Sequence, residues 1–124
     1  MWKKTLPLLL VPLLFAGCQA TFTNVSALQQ PRNPNNLYPV EVALNSKQQA
    51  LRWDSIKSYV AVGNELYPLR QTRLMQNRWE GLIPVPAGTN AVVYRYKFDY
   101  EYNAFGGPEK TSALSSPYKL RILE

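Results

Sequence analysis

Between Val92 and Asn103 the chain alternates with a period of two. Val92, Tyr94, Tyr96, Phe98, Tyr100 and Tyr102 take the even positions, and Arg95, Lys97, Asp99, Glu101 and Asn103 the odd ones. An extended strand sends alternate side chains to opposite faces, so this stretch is predicted to be a strand with one aromatic and one charged face. An aromatic row of that size needs a second layer to cover it. The same period governs Tyr38 to Leu44, where Val40, Val42 and Leu44 share a side. No segment keeps a 3.6-residue period, although Leu69 to Trp79 has room for a helical turn.

Turn signals divide the rest. Ser46 to Gln49 reads as a turn and Ala50 to Trp53 as a short strand. Ser58–Val62, Gly63-Asn64 and Glu65–Leu69 have the form of a hairpin, because Gly-Asn suits the positive φ of a two-residue turn. Pro68 has no N–H to donate, which places its strand at an edge. Arg78 to Val85 is a further strand and Pro86 to Asn90 a turn. Ala91 to Asn103 is the longest strand, Phe105 to Ser112 a loop, and Tyr118 to Leu123 the last strand. Six to seven short strands between Tyr38 and Glu124 predict an all-β fold: one antiparallel β-sandwich, with a small open β-barrel as the alternative. The spacing resembles that of immunoglobulin-like domains. That likeness implies a tyrosine corner at Tyr94, while the cysteine pair of antibody domains is missing.

Composition narrows the chemistry. The 124 residues suffice for one domain, and a hydrophobic content of 46% can fill its core. There is no histidine and only one cysteine. Serine or cysteine catalysis with an imidazole base, histidine-ligated metals, internal disulfides and cysteine-rich metal sites are thereby excluded.

The amino terminus has an unrelated pattern. Lys3 and Lys4 precede an apolar run from Leu6 to Phe15, followed by Ala16-Gly17-Cys18. A positive segment and about ten apolar residues are the marks of a secretory signal and too short to span a bilayer. Small residues before a cysteine at that point resemble the lipobox of bacterial lipoproteins, with Phe15 where Leu is usual. The resemblance implies that residues 1–17 are a signal peptide, cleaved before Cys18. It also implies a diacylglyceryl group on the Cys18 sulfur and an acyl group on its amine, holding the protein in a membrane. Gln19, where Asp would favour retention in the inner membrane, implies the outer membrane of a Gram-negative host, with the domain facing the periplasm. No other cofactor and no metal is expected.

Without Lys3 and Lys4 the net charge falls from +6 to +4. With no Lys/Arg run, nucleic acid is not an expected partner. Residues 18–37, with Pro31, Pro34 and many Asn and Gln, read as the lipidated cysteine and a tether. At ~3.3 Å per residue it could extend ~60 Å. Phe22 and Val25 are its candidates for docking onto the domain, which is placed at 38–124.

Candidate site residues follow from the aromatics. The row on Val92–Tyr102 is expected to be core as far as Phe98, with Tyr100 and Tyr102 emerging as a platform for glycan or peptide. Trp53 and Trp79 are core candidates or, alternatively, sugar platforms. Asp99 and Glu101 stand ~7 Å apart on one strand face, a spacing that a glycosidase or a cation site could use. Arg95 and Lys97 share that face and neutralise the pair, so a solvated ladder is expected. Ser115-Ser116-Pro117 offers hydroxyls without a base. Phe105, beside Gly106-Gly107, is an apolar residue at a loop tip, and the loop Ala104–Lys110 is the expected contact surface. These readings together describe a non-enzymatic, lipid-anchored envelope lipoprotein presenting a binding or scaffold domain to an envelope protein. The alternative is an anchored carbohydrate-binding accessory domain.

Overall fold

The computed structural model describes residues 20–46 and 49–124. They form ten strands: β1 (Ala20–Asn24), β2 (Gln29–Pro31), β3 (Leu37–Ser46), β4 (Leu51–Val62), β5 (Glu65–Pro68), β6 (Arg70–Gln71), β7 (Arg78–Pro84), β8 (Ala91–Ala104), β9 (Gly107–Leu114) and β10 (Tyr118–Leu123). The smaller sheet has the order β1-β3-β7-β6. The larger has the order β2-β10-β8-β4-β5, with β9 also paired to β8. All pairings are antiparallel except β2 with β10. Two separate sheets make this a sandwich and set the open-barrel alternative aside.

Alternation places the core between the sheets. Tyr38, Val40, Val42 and Leu44 of β3 and Trp79 and Ile83 of β7 face Val60 of β4, Tyr94, Tyr96 and Phe98 of β8 and Leu120 and Ile122 of β10; all are buried. Phe98 is the centre of an aromatic cluster, 5.1 Å from Phe22 and 5.0 Å edge-on from Trp79.

The stretch expected to be a tether is the largest correction. β1 pairs with β3 from Ala20↔Ser46 to Asn24↔Val42, and β2 adds to β10. Leu28 O and Leu123 O accept the N–H groups of Arg121 and Arg32, tying this segment to the carboxy-terminal strand. Pro31 and Pro34 stop long strands without preventing short ones. Among the described residues the sandwich thus extends from Ala20, not only from Tyr38. Cys18 and the signal-like segment lie outside the described residues.

Other expectations shift locally. Gly63-Asn64 does turn β4 into β5, with positive φ at Gly63 alone (60°). Pro68 stands at an edge, and just past it Leu69 carries the chain across to the smaller sheet, where β6 pairs with β7. The crossing passes so close that a Cβ on Gly81 would lie 2.6 Å from Leu69 Cδ2. Leu69 to Trp79 holds no helical turn; Leu74, at φ 65°, marks an irregular loop. Tyr94 makes no tyrosine corner. Its hydroxyl accepts a hydrogen bond from Asn24 Nδ2 on β1 at 2.9 Å. Among the described residues no helix is long and apolar enough to cross a membrane.

Candidate functional site at the far end of the larger sheet

β8 has fourteen residues and two sets of neighbours along one side. Ala91–Tyr94 pair with β10, and Lys97–Ala104 with β9. Ser115 fills the joint between them. Its N–H donates to Tyr96 O, while its Oγ accepts from Tyr96 N–H at 2.9 Å and donates to Ser116 O at 2.8 Å. The serines that lacked a base in the sequence are a backbone joint.

The loop expected at Phe105–Ser112 is also strand. Register runs from Lys97↔Leu114 to Ala104↔Gly107, which leaves Phe105-Gly106 as a two-residue turn. Gly106 takes φ 100° and Gly107 φ 135°, conformations that L side chains rarely adopt. The glycines make a tight hairpin rather than a flexible loop. Phe105, at its tip, has 106% relative exposure, so its ring touches almost nothing.

On the other side of β8, β4 is interrupted. Leu51 and Arg52 pair with Tyr102 and Glu101, and pairing resumes at Lys57↔Asp99. Trp53 to Ile56 therefore bulge opposite the single residue Tyr100. Ser55 replaces the missing ladder bonds: its Oγ donates to Arg52 O at 2.6 Å and accepts from Glu101 N–H at 2.8 Å. Bulges of this kind re-aim side chains. Periodicity alone misses it, dividing β4 into separate strands at Ala50–Trp53 and Ser58–Val62. The available signal was the loss of alternation at Asp54-Ser55.

Four of the five aromatic site candidates thus stand toward one end of the larger sheet: Trp53, Tyr100 and Tyr102 half-buried, Phe105 exposed. Trp79 does not join them as a platform. It is 4% exposed and packs into the core against Phe98. Trp79 and Trp53 nevertheless line one cleft of about 340 Å³ with Ile56, Tyr59 and Leu69. Ser58 also lines it, and its buried Oγ has no hydrogen-bond partner.

The charged face behaves as a ladder. Asp99 accepts from Lys97 Nζ at 2.7 Å and Ser112 Oγ at 2.6 Å. Lys97 and Ser112 hold its carboxyl below the usual carboxylate range. Glu101 pairs with Arg52 at 3.2 Å. Each carboxylate thus has a cationic partner on the same face. They border a shallow groove of about 460 Å³ with Lys57, Tyr59 and Lys110. Among the described residues no group of three or more His, Cys, Asp or Glu could hold a metal ion.

The other polar concentration is structural. Tyr96 Oη donates to Asn24 Oδ1 at 2.7 Å and lies 3.1 Å from Ser26 Oγ, which itself accepts from Glu41 N–H at 2.7 Å. Burial pushes the Tyr96 hydroxyl pKa well up, so it stays protonated as a donor. This network joins β8 to β1 and β3 across the sandwich.

No protein-family model and no curated protein matches the chain. Among solved structures it is similar to a DUF4785 family protein from Legionella pneumophila, with 12% identity and a TM-score of 0.44. That match covers 83% of this chain and 28% of the other.

Proposed function

We propose that the protein is a non-enzymatic lipoprotein of the cell envelope, anchored through an acylated Cys18 and presenting its sandwich as a binding or scaffold domain. One observation carries the reading. Lys3-Lys4, the apolar run Leu6–Phe15 and the small residues Ala16-Gly17 converge on the only cysteine in the chain. Acylation also removes what would otherwise be a lone thiol in an oxidising compartment. Two or more acyl chains hold a protein where one does so only marginally. The residue after the cysteine, Gln19, favours the outer membrane with the domain in the periplasm, given a Gram-negative host. The paired states of Asp99 and Glu101 support a binding role over a hydrolytic one.

The decisive experiment is metabolic labelling with palmitate. Wild type incorporates label and Cys18→Ser accumulates as an unlabelled precursor; equal labelling of both overturns the anchoring. Crosslinking in intact cells then identifies the envelope partner. A second reading, an anchored carbohydrate-binding domain, is favoured by the Trp53 cleft with its unpartnered Ser58 hydroxyl. Retention on immobilised envelope glycan that Trp53→Ala abolishes would select it.

A further inference from the structure

Lipid anchoring at Cys18 acquires a geometry once Ala20 is known to lie in the sandwich, and a second membrane contact can be inferred only if that anchoring holds. A single residue, Gln19, separates Ala20 from Cys18. Ala20 pairs with Ser46 at the end of β3. Only four residues separate Ser46 from β4 in sequence, the first residue of β4, Leu51, pairs with Tyr102, and Asn103 N–H donates to Ala50 O at 2.8 Å. The start of β1 and the β8–β9 turn therefore occupy the same end of the sandwich.

Their reach can be compared from a shared level, the Phe22–Phe98 ring contact at 5.1 Å. Cys18 lies four residues beyond Phe22 and Phe105 seven beyond Phe98. At ~3.3 Å per residue these are ~13 Å and ~23 Å, the first being the most that extended chain allows. Sheets in a sandwich run within about 30° of each other, which trims the difference without reversing it. The turn thus projects past the point where the lipid would be attached. Its composition fits such a position. From Tyr102 to Pro108 no residue is charged; Glu101 and Glu109 bracket the run. Its most exposed member is an aromatic ring, and Tyr102 behind it is of the type that favours membrane interfaces.

The geometry points to the β8–β9 turn as a second membrane contact: Phe105 enters the headgroup–acyl boundary of the bilayer that holds the acylated Cys18. A lone Phe would partition weakly. Beside an anchor it acts at high effective concentration and fixes the orientation of the domain on the surface.

The test uses the acylated full-length product purified from membranes. Once Cys18 is acylated, Phe105→Cys supplies the only free thiol, and Asn64→Cys, in the turn at the opposite end, is its control. Each is labelled with an environment-sensitive fluorophore and reconstituted into phosphatidylethanolamine–phosphatidylglycerol vesicles carrying nitroxide lipids, after mass spectrometry of the amino-terminal peptide. Several-fold stronger quenching by lipid nitroxides at position 105 than at 64, with protection from aqueous iodide, is expected. Equal quenching at both positions in an acylated chain overturns the membrane contact and leaves the anchor standing. Protection from iodide without lipid quenching also overturns it, in favour of a protein covering the turn. An unmodified Cys18 overturns the anchoring reading itself, and the membrane contact with it.

Discussion

The two halves of β8 share one alternating pattern and have opposite fates. In the first half Tyr94, Tyr96 and Phe98 are all buried; in the second Tyr100 and Tyr102 are half-buried and the turn beyond them ends in a bare Phe105. The difference lies in what covers them. Phe98 meets Phe22 of β1 and Trp79 of β7, and Tyr96 is bonded to Asn24 and Ser26. Past Phe98 the strand continues with β9 on one side and the bulged end of β4 on the other. Periodicity therefore fixes which face a residue takes, while the reach of the opposing sheet fixes how deeply it is buried.

The largest effect that could break this comparison is in the first half. Tyr96→Ser and Phe98→Ser should each cost about 3–5 kcal/mol, because each removes a fully enclosed ring. Tyr96→Ser also leaves Asn24 Oδ1 with only the longer hydrogen bond from Ser26 N–H, at 3.3 Å. Tyr102→Ser, on the same face, should cost well under half as much in thermal or urea denaturation. Equal losses at positions 98 and 102 would mean that the cover extends along the whole strand.

The bulge sharpens the picture at intermediate size. Ser55→Ala removes the hydroxyl that bridges Arg52 O and Glu101 N–H, at an expected cost of about 1–2 kcal/mol. Ser55→Thr, which keeps a hydroxyl, should recover part of it. No loss in either variant would show that the bulge closes without Ser55.

How much of this was legible in the sequence depends on the kind of signal. The faces of β3 and β8, the turn at Gly63-Asn64 and the edge position of Pro68 follow from period and turn chemistry, and the structure has all of them. β1, β2 and β9 carry no such signal. Ala20–Asn24 and Gln29–Pro31 are short, polar segments whose extended form depends on β3 and β10 as partners. Gly107–Leu114 lacks an apolar alternation; among the described residues it pairs with β8 alone. Of the site, the exposure of Phe105 was legible from its glycine neighbours. The burial of Trp79 and the place of Trp53 in a bulge opposite Tyr100 were not, since both depend on contacts between strands far apart in sequence.

A smaller effect tests the charged face of the second half. Lys97 and Ser112 keep the Asp99 carboxyl below its ordinary range. A carboxylate lowered in this way stabilises the fold fully above about pH 4, its unfolded value, and loses that contribution as pH falls toward the folded one. Its side chain is 37% exposed, so the pair is screened and contributes under about 1 kcal/mol. Asp99→Asn should leave stability at pH 7 lower by less than that and flatten the acid limb of melting temperature against pH. An unchanged acid limb would remove the pair from any account of stability.

The smallest stability effect belongs to the residue with the largest expected functional one. Phe105 makes almost no contact with its own chain, and Gly106 and Gly107, rather than Phe105, provide the φ angles of the turn. Phe105→Ser should therefore shift stability by no more than about 0.5 kcal/mol in either direction. An aromatic ring left wholly in water nevertheless forgoes its burial, and a binding surface is where such a residue contributes. Complementation of a deletion strain should then fall with Phe105→Ser at unchanged melting temperature, in contrast to Tyr96→Ser, whose loss of function would follow loss of fold. Glu101→Gln, on the same half-strand, should complement normally, because it weakens an ion pair without touching the tip. A Phe105→Ser protein that is folded, correctly localised and fully active would dismiss the turn as a contact surface. A Glu101→Gln protein that is folded and inactive would reopen the charged groove as a catalytic site.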